Sequence, residues 1–163
     1  MKIIIRLIIY GVLFSVVHTS SAQSQCVDAT EGLLSMDQEK IALVNDSGQE
    51  VSLQVFVADD NYERASGFQH ICPRVIDKVL ILFRYDVESA GRFHMQNVHA
   101  PLDIAFFDAD GVLISAMLMQ TYTEDFRPLF GPGAPFQFAL EARQGFFAEI
   151  NVSAASSYLK ISD

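Results

Sequence analysis

The chain has no tryptophan, only two cysteines and five prolines, and just 11 lysines and arginines among 163 residues. Each shortage excludes something. Without Trp there is no indole face on which a sugar ring could stack. Cys26 and Cys72 make no Cys-x-x-Cys pair, haem-attachment motif or zinc-finger spacing, so redox catalysis has no sequence support. Gly-x-Ser-x-Gly, phosphate-loop, dinucleotide and His-Glu-x-x-His patterns are missing as well, and with them the common enzyme signatures. The N-terminal apolar run, residues 7–17, counts 11 residues, whereas a helix crossing a bilayer needs about 20.

That short run sits in a recognisable setting. Lys2 and Arg6 precede it, and the small polar stretch His18-Thr19-Ser20-Ser21-Ala22 follows, which is the three-part grammar of a cleavable secretory signal. Ser20 and Ala22 place cleavage before Gln23, and the residues before Cys26 do not make a lipoprotein box. The competing reading is an uncleaved anchor, against which the shortness of the run argues. Residues 1–22 are thus expected to be a signal peptide, 23–38 a polar N-terminal segment, and 39–163 one domain, exported to a bacterial periplasm or beyond, with no stable membrane span after cleavage.

The 163 residues less the first 22 leave 141, the size of a single domain with one hydrophobic core. Taking Lys2 and Arg6 from the 11 basic residues leaves nine against 20 acids, a net charge of −11. Phosphate backbones and anionic lipid surfaces repel such a chain, so nucleic acid is not an expected partner. The charge suits the solubility of an exported domain, with attraction of cations as the alternative. An oxidising compartment lets Cys26 pair with Cys72, closing a loop of about 45 residues, for which chain entropy suggests on the order of 4 kcal/mol. Two free thiols or an intermolecular link are the alternatives.

Strand signals dominate after Glu39. Residues 40–44 and 51–57 flank Asn45-Asp46-Ser47-Gly48, a hairpin signal, and Val51, Leu53, Val55 and Val57 alternate as in a half-buried strand. Asp60-Asn61-Tyr62-Glu63 has the spacing of a capping box, with Gly67 to close the short helix. Residues 79–83, 92–95, 102–107, 112–119, 136–141 and 158–161 read as further strands, with a helical turn around 146–150. Asp108-Ala109-Asp110-Gly111 marks another turn, and residues 121–135 carry Pro128, Gly131, Pro132, Gly133 and Pro135, which exclude regular structure. Seven or eight short strands with one or two short helices predict a mainly β fold, a single sandwich or barrel, expected to be monomeric.

The densest polar cluster is His94-Met95-Gln96-Asn97-Val98-His99-Ala100-Pro101-Leu102-Asp103. Alternation places Asp103 in a strand apolar on both faces, where a carboxylate must be paired, hydrogen-bonded or protonated. The plainer reading makes Asp103 a tie holding the 97–101 loop, with Arg64, Arg92, Asn97 or backbone N–H groups as partners; the other makes it an acid, base or ligand. His94, His99 and Asp103 are the residue types of a two-histidine, one-carboxylate metal site, but a five-residue separation across a Pro-ended loop does not aim both rings one way, and no metal or other cofactor is expected. His70 beside Cys72 gives a base next to a nucleophile without an orienting third group, and the disulfide is the better use of Cys72. Tyr122, Phe126, Phe130 and Phe136 interleave with glycines and prolines, either as a lid or as a flap plugging the core. Asn151-Val152-Ser153 is a glycosylation acceptor only in a eukaryotic pathway, and the short leader reads as bacterial.

Val57-Ala58-Asp59, Glu63-Arg64-Ala65-Ser66-Gly67-Phe68, Leu82-Phe83, the run from Phe93 through Asp103 to Gly111, and Phe138-Ala139-Leu140-Glu141 with Gly145 together resemble the prokaryotic family of domain of unknown function 192. The resemblance covers roughly residues 51–150. The family's central motif reads Phe-Trp-Met-Lys-Asn-Thr and then Pro-Leu-Asp-Ile; here His94, Gln96 and Val98 replace the Trp, Lys and Thr, while Met95, Asn97, Pro101, Leu102 and Asp103 are kept. The resemblance implies a compact β-sandwich of jelly-roll type, often exported, and no established activity. The expected function is non-catalytic binding of a small ligand or an envelope protein through the 93–103 region and the 121–135 loop, with Arg64, His94, Asn97, His99, Asp103 and Glu141 as the ligand-binding residues. The runner-up readings are a hydrolase using Asp103 with His94 or His99, and a metal-carrying accessory protein.

Overall fold

Asn45 reverses the chain by folding its own side chain into the turn. Its Oδ1 accepts from the backbone N–H groups of Ser47 and Gln49 at 3.1 and 2.9 Å, and Gly48 takes the positive φ of 76° that the turn requires. The strands on either side, β1 (Asp37–Val44) and β2 (Glu50–Ala58), pair antiparallel from Asp37↔Val57 to Val44↔Glu50. The computed structural model describes residues 26–153 and 155–160. The expected signal peptide, residues 1–22, lies outside the described residues, as does Ile161.

The remaining strands are β3 (Ile81–Ser89), β4 (Leu102–Phe107), β5 (Leu113–Met119), β6 (Phe136–Arg143) and β7 (Tyr158–Lys160). All seven join one sheet in the order β5-β4-β6-β3-β2-β1-β7. Only β2 and β3 run parallel, from Phe56↔Ile81 to Ala58↔Phe83, and parallel neighbours need a crossover. Residues 59–80 supply it, carrying α2 (Asn61–Ser66) and α3 (Pro73–Ile76) over one face of the sheet. The sheet curls until its two ends meet: Val112 bridges Tyr158, with Leu113 N–H donating to Ser157 O at 3.0 Å and Leu159 N–H to Gly111 O at 2.8 Å. The mainly β expectation holds, and of sandwich and barrel the curled single sheet is the form taken.

Both faces are packed. Leu43, Val55, Leu82, Ala105, Phe107, Leu140 and Leu159 belong to the cluster inside the curl, joined by Phe147 from α4 (Phe146–Glu149). Ile81, Phe83, Ile104, Phe106, Phe136 and Ala139 form a second cluster on the opposite face, covered by Leu33, Phe68, Ile71, Ile76 and Met95. Strand alternation sorts neighbours between the two, as Ile81, Leu82 and Phe83 show.

The N-terminal segment is more ordered than its polar sequence predicts. Thr30 caps α1 (Glu31–Ser35), its Oγ1 accepting from Leu33 N–H at 3.2 Å, and β1 begins at Asp37 instead of Lys40. Packing makes the difference, because α1 lies on α2 so closely that a Cβ at Gly32 would come within 2.1 Å of Ser66 Oγ. Cys26 and Cys72 form the expected disulfide with Cα atoms 4.8 Å apart, and Val27 pairs with Ile71 beside it. Residues 92–95 are not a strand: Phe93 alone makes an isolated bridge, to Phe130 in the irregular 121–135 loop, while β3 extends to Ser89. Gly91 and the bulge between Arg84 and Ser89 take the chain off the sheet before Phe93.

Candidate functional site

Parity along β6 decides where its acid goes. Ala139 and Glu141 face the helices, whereas Leu140 and Ala142 face the inside of the curl. Glu141 is only 5 % exposed, sits between Ile81 and Ile104 on the flanking strands, and has no hydrogen-bond partner among the described residues. Burial alone pushes its pKa up from 4.5 to about 8, since removing a carboxylate from water without a compensating charge disfavours ionisation. At neutral pH this carboxyl is mostly a neutral group able to donate a hydrogen bond.

The carboxyl opens into a cleft of about 120 Å³ whose polar walls are Arg64, Gln69, Tyr85, Arg92 and His94. Helix α2 positions the first of these. Asp60 caps the helix through Glu63 N–H at 2.8 Å, and Glu63 Oε2 reaches back to Asp59 N–H at 3.2 Å, one residue earlier than in a standard capping box. Arg64 then donates to Asp59 O, to Arg84 O at 3.0 Å and to Asn61 Oδ1 at 2.9 Å, while its guanidinium lies 4.9 Å over the Tyr85 ring. Gly67 ends α2 at φ = 45°, and a Cβ there would stand 3.4 Å from Phe83 Cζ and 3.8 Å from Glu141 Oε2. The glycine lets the chain turn directly over the carboxyl.

On the far wall, the Phe93 ring meets Phe83 edge-on at 4.9 Å and Phe106 at 5.5 Å, and its backbone exchanges hydrogen bonds of 2.8 and 2.9 Å with Phe130. Locking Phe93 holds Arg92 and His94 at the rim. Arg92 is exposed and forms no ion pair among the described residues. Tyr85 has its hydroxyl pKa raised, first by burial, with Arg64 opposing and Glu141 adding to the rise.

Of the six residues expected from sequence, Arg64, His94 and Glu141 come together in this cleft; Asn97, His99 and Asp103 do not line it. Asn97, at φ = 57°, donates to Gln69 Oε1 at 3.2 Å, and its carbonyl accepts from His70 N–H at 2.8 Å, so it fastens the loop to the crossover. His99 is half-buried, its Nε2 out of solvent and without a partner. Asp103 accepts from Gly145 N–H at 2.9 Å. Its pKa is raised by burial, against the pull of the Gly145, Phe147 and Phe146 amides and the Arg143 charge. It is a tie, though to the β6–α4 turn and not to the 97–101 loop, because its position in β4 points it to the opposite face from Glu141. No group of three or more metal-ligating side chains occurs among the described residues. Tyr85 is not singled out by the sequence and Arg92 enters it only as a possible partner of Asp103; their placement on the walls of the cleft marks them.

Fold and site together define a class: a mainly β domain built on one curled sheet, with a buried acid opening under a helix–glycine turn. The family model described as DUF192, uncharacterized ACR, matches residues 42–158, and the chain belongs to that family, the one its motifs resemble. A protein from Sinorhizobium meliloti 1021, described as a candidate transcription regulator, shares the fold with a TM-score of 0.68 at 22 % identity, over 77 % of this chain and 94 % of its own. A protein of unknown function from Novosphingobium aromaticivorans DSM 12444 does so with a TM-score of 0.65 at 18 % identity, over 88 % and 99 %. Likeness at these identities is likeness of fold. No curated protein matches the chain.

Proposed function

We propose that this protein is an exported, non-catalytic binding module of the cell envelope, and that it takes a small polar ligand into the cleft above Glu141. The observation that carries the reading is a largely buried glutamic acid, without a hydrogen-bond partner among the described residues, whose carboxyl faces an open cleft. A carboxyl held largely out of bulk water without a partner from the protein is poorly solvated, and a ligand group that hydrogen-bonded to it would offset that loss on binding. At about 120 Å³ the cleft suits a small molecule, since an engineered cavity of about 150 Å³ takes up a benzene. Binding fits the geometry better than hydrolysis by Asp103 with His94 or His99, because the Asp103 carboxylate is held by Gly145 on the other face of the sheet. No helix among the described residues is long and apolar enough to cross a membrane, and export rests on the leader's sequence grammar.

Thermal shift of the purified chain against metals, sugars, peptidoglycan fragments and small acids tests the binding reading. A ligand at 100 times its Kd adds about 2.7 kcal/mol of stability. Such a shift in the wild type, lost in E141L, is the expected result; a shift that E141L leaves unchanged would place binding elsewhere. Fractionation of cells expressing the tagged chain tests export: a mature product beginning at Gln23 in the periplasm is expected, and full-length protein in the cytosol defeats it.

A further inference from the structure

The cleft has one acid and two arginines, and the acid is the buried member. The titratable and charged residues that line the cleft with Glu141 are Arg64 from α2, Tyr85 from β3, and Arg92 and His94 from the 90–98 loop; its neighbours within the sheet, Ile81 and Ile104, are apolar. Arg64 is already committed to two backbone carbonyls and Asn61, which leaves Arg92 as the cation with donors to spare. Phe83, Phe93 and Val98 supply an apolar wall beside these polar groups. A neutral carboxyl on the floor, a free guanidinium at the rim and aromatic edges between them describe a complement to a small anion carrying a short carbon tail.

We propose that the cleft binds a short-chain monocarboxylate, whose carboxylate accepts a hydrogen bond from the Glu141 carboxyl and pairs with Arg92 while its tail lies against Phe83, Phe93 and Val98. This rests on the cleft being the binding site. A carboxylic acid donating to a carboxylate makes one of the shorter, stronger hydrogen bonds open to proteins, at about 2.5–2.7 Å. The ligand and Glu141 then share one proton between two carboxyls, so the complex needs Glu141 protonated. An amine would need the reverse, an ionised Glu141, and would bind more tightly as pH rises. The two ligand classes therefore carry opposite pH signatures.

Isothermal titration of the full disulfide-bonded chain with acetate, propionate and butyrate, each at pH 7 and pH 9, tests the proposal, with propylamine and inorganic phosphate as contrasts. For a group titrating at about 8, the protonated fraction falls about tenfold between those pH values. Propionate or butyrate is expected to bind one per chain, about tenfold more weakly at pH 9. E141Q, which keeps a donor that does not titrate, is expected to bind equally at both. R92S, a change at an exposed residue that spares the core, is expected to weaken binding several-fold at both. Propylamine binding that strengthens with pH, or phosphate binding tighter than every monocarboxylate, overturns the carboxylate assignment and leaves the cleft as a site. Carboxylate binding indifferent to both E141Q and R92S overturns it too. If none of the five probes binds, the assignment is wrong; if E141L also leaves the wider ligand panel unchanged, the cleft reading falls with it.

Discussion

Two carboxyls, both raised above their ordinary pKa values by burial, have different work at the residue scale. Asp103 is surrounded by amides and holds a turn; Glu141 has no such company. D103A removes the acceptor for Gly145 N–H and is expected to cost about 1–2 kcal/mol in urea unfolding while leaving ligand titrations at the cleft unchanged. A loss of cleft binding in D103A would contradict that separation. Gly67 is a second position where one atom matters. Its φ of 45° and ψ of −136° lie where side chains are strained, so G67A is expected to cost about 1–3 kcal/mol and to narrow the cleft against Glu141. A fully stable G67A with normal ligand affinity would show that the backbone can relax away from Phe83.

At the scale of elements, the N-terminal segment shows how contacts override a weak local signal. Residues 23–38 have no periodicity, and a five-residue helix is too short to persist in water by itself. The α1 turn survives because Gly32 lets it lie against Ser66 and because the disulfide and the Val27–Ile71 pairing hold its start. Replacing both cysteines with serine releases a loop of sequence separation 46, for which chain entropy gives about 4 kcal/mol of lost stability. Chemical denaturation of the oxidised and reduced wild type should differ by a similar amount, and equal midpoints would mean that the staple carries no stability. The single bridge at Phe93 is the opposite case: residues 92–95 read as a strand from composition, yet no neighbouring strand is there to pair with them.

For the whole molecule, the buried acid makes a prediction about pH with a definite sign. Glu141 titrates near 4.5 when unfolded and at about 8 when folded, so between those values the folded state holds a proton that the unfolded state has released. Below about pH 4.5 both states are protonated and the group is neutral toward stability. Stability is then lost as pH rises toward 8, by on the order of several kcal/mol once the buried group must ionise. The wild type should therefore lose melting temperature between pH 5 and 9 relative to E141Q, which carries no titratable group there. A constant difference between the two proteins across that range would mean that water or a partner already compensates the charge.

Turns and alternation were legible from short stretches: the Asn45 hairpin, the Asp60 cap and Gly67 stop, the two faces of β4, and an irregular 121–135 loop each depend on residues within a few positions of one another. So was the pairing of two cysteines in a chain with no others. The site was legible only in pieces. Arg64, His94 and Glu141 were singled out, but so were Asn97, His99 and Asp103, and nothing local separates the two sets. What separates them is register: β6 pairs Glu141 with Ile104 and Ala142 with Asp103, which sends the two acids to opposite faces of one sheet. A one-residue slip of β6 would set Glu141 opposite Asp103 and bring both acids to one face. Partners 42 residues apart, as Asp103 and Gly145 are, meet only when the sheet has formed and curled, because long-range strand pairing answers to the summed burial of both faces and not to any short segment.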